Sequence, residues 1–151
     1  MSTETPATLT ADAIRLGATA ASSEEAVEQC GRLLVKIGAV EEPYVAAMHE
    51  REQVVSTYVG EGVAIPHGTN ASRAYVRHTR LAVIQYPGGV DWGVGTVHLC
   101  VAIAASGEEH VSVLAALSKV LMDTEKAAAL RTATDAATVL SLLNDQQEAH
   151  A

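Results

Sequence analysis

The chain has 151 residues, an apolar fraction of 48% and a formal net charge of −8, from 18 acidic and 10 basic side chains. That length fits one domain with a sizeable core. The acidic balance argues against nucleic acid, whose binding rests on phosphate neutralisation, and against insertion at an anionic membrane surface; it suits a partner with a basic face.

Taken in chain order, residues 1–8 are rich in Ser, Thr and Pro and are expected to fray. Leu9 to Leu16 fits either a short amphipathic element or a strand. A helix is predicted next. Ser22 stands three residues before Glu25, the spacing of a capping box, and Val27, Cys30, Leu34 and Ile37 recur at helical period before Gly38. A second helix starts near Pro43, which a first turn tolerates, with Tyr44, Ala47, Met48 and Arg51 on one face. Thr57 to Val59 and Val63 to Ile65 read as strands around a Gly60-Glu61-Gly62 turn. Leu81 to Tyr86 reads as a strand closed by Pro87-Gly88-Gly89, and Val97 to Ala104 as a central strand, because its apolar run is nearly continuous. After the loop from Ser106 to His110, a helix carries Val111, Leu114, Leu117, Val120 and Leu121. Asp123 and Thr134 are expected to cap two last helices, with Leu130 and then Val139, Leu142 and Leu143 facing inward. Helices at both ends with strands between predict a single α/β sandwich around a mixed sheet.

Cys30 and Cys100 both sit inside apolar patterns, which reads as buried thiols in a reducing compartment. No window approaches a membrane span, and no apolar core of signal length precedes Ser22, so a cytoplasmic location is expected. Of the six histidines, His49, His67, His78, His98 and His110 lack tight metal-ligand spacing, so no metal is expected. No glycine-rich phosphate loop or nucleophile elbow is present.

The segment from Gly60 to Thr69 is the most informative. The run Val63-Ala64-Ile65 ends in Pro66, which cannot donate to a sheet ladder, and presents His67 where the chain turns; Gly68 leaves little bulk beside the ring. A histidine there can act as base, nucleophile or metal ligand. Three other residues are candidate helpers. Arg51, near the end of the second helix, offers a planar fork suited to phosphate, or is a solvated helix residue. Glu61 can hold an imidazole N–H and fix its tautomer, or is a solvated loop acid. His110, at a loop-to-helix junction, can donate to a phosphoryl oxygen beside a helix N-terminus, or is a surface first-turn residue.

Five blocks then carry a resemblance: Arg51-Glu52-Gln53, Thr57-Tyr58-Val59-Gly60-Glu61, Ala64-Ile65-Pro66-His67-Gly68-Thr69, Gln85-Tyr86-Pro87-Gly88-Gly89-Val90 and Glu109-His110. In order and spacing they resemble the enzyme IIA (EIIA) components of the mannitol/fructose class of the bacterial phosphoenolpyruvate-dependent sugar phosphotransferase system. The likeness runs from about Ser22 to Leu143. It implies a mixed sheet of about five strands flanked by helices. It implies that His67 is the phosphorylated residue and that Arg51, Glu61 and His110 are its supporting residues. The phosphocarrier protein HPr is then the donor and a cysteine of a IIB domain the acceptor, with no cofactor. Within the class, Glu61 is similar to the mannitol-specific branch. Gly62 is shared with the regulatory nitrogen-related branch, and the segment Asp91 to Thr96 departs from the mannitol pattern. The reading is therefore a phosphoryl carrier for mannitol, or for a related hexitol or fructose. The alternative is a regulatory module whose phosphorylation controls partner proteins without sugar transport.

Overall fold

Helix α1 (Ser23–Lys36) begins where its sequence supplies both halves of a cap. The Ser22 hydroxyl accepts from the Glu25 N–H at 3.1 Å, and the Glu25 carboxylate reaches back to the Ala21 N–H at 2.6 Å. Its inner face, with Val27, Cys30, Leu33 and Leu34, is buried. Helix α2 (Pro43–Val54) starts on proline and buries Tyr44, Val45, Ala47 and Met48. The computed structural model describes residues 9–105 and 108–148, with the side chains of 108, 110 and 144–148 excepted. The fraying expected of residues 1–8 lies outside the described residues.

Five strands form one mixed sheet in the order β1-β4-β5-β3-β2. They are β1 (Ile14–Arg15), β2 (Tyr58–Gly60), β3 (Val63–Ala64), β4 (Arg80–Asp91) and β5 (Thr96–Ala104). β1 runs parallel to β4 and β3 parallel to β5, while β4–β5 and β2–β3 are antiparallel. β5 lies in the middle and is fully buried from Leu99 to Ala104, which explains its unbroken apolar run. Successive strand residues point to opposite faces. On β4, Ile84 shares a groove with Leu33 of α1, whereas Gln85 donates to the carbonyls of Arg131 and Ala133 at 3.1 and 2.8 Å. α1 and α2 thus cover one face. α3 (Glu108–Leu121), α4 (Thr124–Arg131) and α5 (Ala136–Glu148) make the other layer, so the sheet is sandwiched as expected.

Two expectations need correction, and one open alternative resolves into both of its forms. Pro87-Gly88-Gly89 does not close the fourth strand; β4 runs on to Asp91, and its register with β5 shifts between Gln85 and Val90. A bulge leaves a residue outside the ladder, so a proline without an N–H is accommodated there. Asp123 caps α4 as expected, but α5 is capped by Asp135 rather than Thr134. Asp135 Oδ1 accepts from the N–H and hydroxyl of Thr138 at 2.8 and 2.9 Å, a reach that Thr134, one residue further out, does not have. Leu9 to Leu16 divides into a 3₁₀ turn (Ala11–Ala13) and the short strand β1. Among the described residues no cluster of three or more His, Cys, Asp or Glu could hold a metal ion, and no helix is long and apolar enough to cross a membrane.

Candidate active site

His67 is positioned by a prolongation of β3 beyond its last ladder pair. Pro66 has no N–H, but its carbonyl accepts from the Ile103 N–H at 2.9 Å, and His67 pairs with Ile103 as an isolated parallel bridge. The next residue is fixed from the opposite layer of contacts. The Gly68 N–H donates to the Tyr44 hydroxyl at 2.9 Å, and that hydroxyl donates to the Ile103 carbonyl at 2.9 Å. A β-carbon at position 68 would overlap Ser72 Oγ and stand 2.7 Å from the Tyr44 ring, so only glycine fits this approach.

The ring itself is half-buried. Its Nδ1 lies 2.8 Å from the Ile65 carbonyl, which can only accept, so Nδ1 carries the proton and the lone pair of the neutral ring sits on Nε2. Burial is the largest influence and holds the His67 pKa below its usual value; the Ile65 carbonyl opposes it, the Arg51 guanidinium reinforces it, and Glu52 and Arg73 add weaker effects upward and downward respectively. The imidazole is thus neutral at pH 7. It opens into a cavity of about 230 Å³ whose wall includes Tyr44, Arg51, Val54, Thr69 and Arg73.

The expected helpers divide. Arg51, in the last turn of α2, lines the cavity with His67 and donates to the Val55 carbonyl at 2.6 Å. Glu61 does not meet the ring. It occupies the turn with φ +56°, and its carboxylate lies 3.8 Å from the Arg131 guanidinium, which also donates to the Glu61 carbonyl at 2.5 Å. The left-handed turn aims Glu61 at α4, and the tautomer-fixing contact expected of it is made by Ile65. The backbone of His110 falls in the first turn of α3; its side chain lies outside the described residues. Two participants escaped the sequence reading. Tyr44 looked like an ordinary core residue, although a buried tyrosine hydroxyl demands a partner. Arg73 follows His67 by six residues in a polar turn that carried no pattern.

The sequence model of the family described as "Phosphoenolpyruvate-dependent sugar phosphotransferase system, EIIA 2" matches residues 7–146. The chain belongs to this family. Its fold agrees with that of solved relatives. The chain is 43% identical over 136 residues to the multiphosphoryl transfer protein of Escherichia coli O157:H7, covering 89% of this EIIA chain and 36% of that protein. It spans between 16% and 36% of the length of the multiphosphoryl transfer proteins it matches. It is 44% identical over 107 residues to the mannitol-specific phosphotransferase enzyme IIA component of Staphylococcus aureus strain Mu50, covering 71% of this chain and 74% of that one. Among solved structures, the complex of E. coli enzyme IIA mannitol with phosphorylated enzyme IIB mannitol superposes with a TM-score of 0.83 at 38% identity, over 90% of this chain and 96% of that chain.

Proposed function

We propose that this EIIA domain is a cytoplasmic phosphoryl carrier that accepts a phosphoryl group from HPr on His67 and passes it to a cysteine of a IIB domain, serving uptake of mannitol or a related hexitol or fructose. The observation that carries this reading is the His67 ring. It is neutral, tautomer-fixed by the Ile65 carbonyl and placed against a cavity bearing the Arg51 charge.

The chemistry follows from that geometry. As the phosphorus–donor bond breaks, the electron pair leaves with the donor, and the Nε2 lone pair of His67 forms the new N–P bond. The transition state is loose, with charge on the equatorial oxygens, so the protein contributes alignment and charge rather than covalent chemistry. Arg51 offsets that charge, and His110 acts from the first turn of α3. In the second transfer a thiolate forms an S–P bond as the N–P bond breaks, and Nε2 recovers its lone pair. No cofactor takes part, because the reactive bond arrives on the donor. The sugar assignment is supported by the mannitol-specific relative, and the acceptor by the solved neighbour bound to a phosphorylated IIB.

The test is phosphorylation by phosphoenolpyruvate, enzyme I and HPr, followed by mass and by transfer to mannitol and fructose IIB domains. Wild type takes up one acid-labile phosphoryl group and delivers it; His67→Ala takes up none. Uptake by the alanine variant at the wild-type rate overturns the assignment. Uptake without delivery to any IIB domain moves the protein to the regulatory reading.

A further inference from the structure

We propose that Arg73 is a second cation of the phosphoryl site, contacting the oxygens of the group carried on His67 from the turn that follows it, as Arg51 does from α2. This rests on the phosphocarrier reading and deepens it.

Arg73 lines the same cavity as His67 and Arg51. Its charge reaches both the His67 ring and the Tyr44 phenol, which lie on that cavity wall. Its backbone is held by a tight 3₁₀ turn (Ala71–Tyr75). The Ser72 hydroxyl donates to the Thr69 carbonyl at 2.7 Å. The Ser72 N–H donates to the same residue, and the Arg73 N–H donates to the Asn70 carbonyl at 3.2 Å. Ser72 is buried beneath Tyr44 and Gly68, so the turn and the His67 segment are packed as one piece.

The charge pattern separates Arg73 from most other arginines; Arg15 also makes no ion pair among the described residues, but it donates to the Asp12 and Ile14 carbonyls and lies in a different groove. Arg32, Arg77, Arg80 and Arg131 each have a carboxylate within ion-pair distance. Among the described residues, no ion pair includes Arg51 or Arg73, although acidic side chains outnumber basic ones 18 to 10 and Glu50 shares the cavity wall. Two half-buried guanidiniums facing one neutral ring are a poor arrangement for stability but a good one for an incoming anion. A phosphoryl group brings close to two negative charges and three acceptor oxygens, and a guanidinium fork matches two of them at once. A cation fixed at the site before the reaction needs no reorganisation as charge develops.

The experiment uses Arg73→Gln and Arg73→Lys in two arms. In the first, the His67 ring resonances of the unphosphorylated protein are followed while inorganic phosphate is added. Wild type should respond, and Arg73→Gln should need about tenfold more phosphate for the same shift. In the second, transfer from phosphorylated HPr is timed. Arg73→Gln should be about 10- to 100-fold slower, below the usual loss of a sole oxyanion donor because Arg51 remains. Its equilibrium with HPr should shift toward the unphosphorylated domain, and Arg73→Lys should fall between. Wild-type behaviour of Arg73→Gln in both arms overturns the proposal. Equal losses in both variants, with displaced amide resonances through the turn, make Arg73 structural and overturn it as well. If wild type is not phosphorylated on His67, the carrier reading fails, and the phosphate arm alone decides whether Arg73 binds the anion.

Discussion

A protonated imidazole has no lone pair to offer, so the burial of His67 is part of its chemistry. Its pKa in the folded chain lies below the ordinary histidine value of 6.5. Above that pH the ring is neutral in both folded and unfolded chains and contributes nothing to the pH dependence of stability. As pH falls through 6.5, the unfolded chain takes up a proton that the folded one resists, so stability is lost between 6.5 and the folded pKa. Acceptance of the phosphoryl group should follow the same ring. Its rate should decline as pH falls, with a midpoint below 6.5. Titrating the His67 ring by NMR beside rapid-quench transfer checks this; a midpoint at or above 6.5 contradicts it. Arg51 and Arg73 act in the same sense as burial, so each neutral substitution should move the midpoint upward.

At the scale of elements, the site is a joint between α2, the end of β3 and β5, closed by one hydroxyl. Tyr44→Phe removes the acceptor of the Gly68 N–H and the donor to the Ile103 carbonyl while keeping the ring in place. Leaving those groups unpaired should cost about 1–3 kcal/mol, read by denaturant unfolding. Phosphoryl acceptance should slow as His67 loses its fixed position; an unchanged stability and rate would show that the joint does not depend on the hydroxyl. Much of this was legible locally. α1 announced itself through a capping box, and β5 through an apolar run that only a strand buried on both faces needs. The rest depended on distant partners. A proline that ends a strand and one that sits in a bulge look alike until the partner strand resumes pairing, as Val90 does with Val97. Glu61 shows the same limit: a Gly-Glu-Gly turn does not encode its direction, and its partner Arg131 is 70 residues away. Tyr44 fitted the apolar face of α2, and nothing in that face revealed where its hydroxyl would go. For His67 itself, the strand, proline and glycine around it gave its place at a strand end, while its proposed role came from the family resemblance.

At the scale of the whole molecule, a net charge of −8 surrounds a cavity whose wall holds two arginines. On the carrier reading the two signs have separate tasks: the outer field draws a basic partner, and the inner cations receive its phosphoryl group. Association with HPr should therefore slow as salt rises, since exposed charges are screened beyond about 8–10 Å at physiological ionic strength. Stopped-flow association at low and high salt measures this, and a flat rate would leave the acidic balance to solubility alone. The stitching of Pro66 to Ile103 carries one more consequence. On the carrier reading, His67 is tied to the sheet, so the domain does not swing its cargo between stations. Donor and acceptor must instead take turns at a single opening, and while either lingers there the other waits outside. On the carrier reading, traffic at high partner concentration is governed by departure: a visitor that binds too well becomes a blockade, and good relay partners are those that leave quickly.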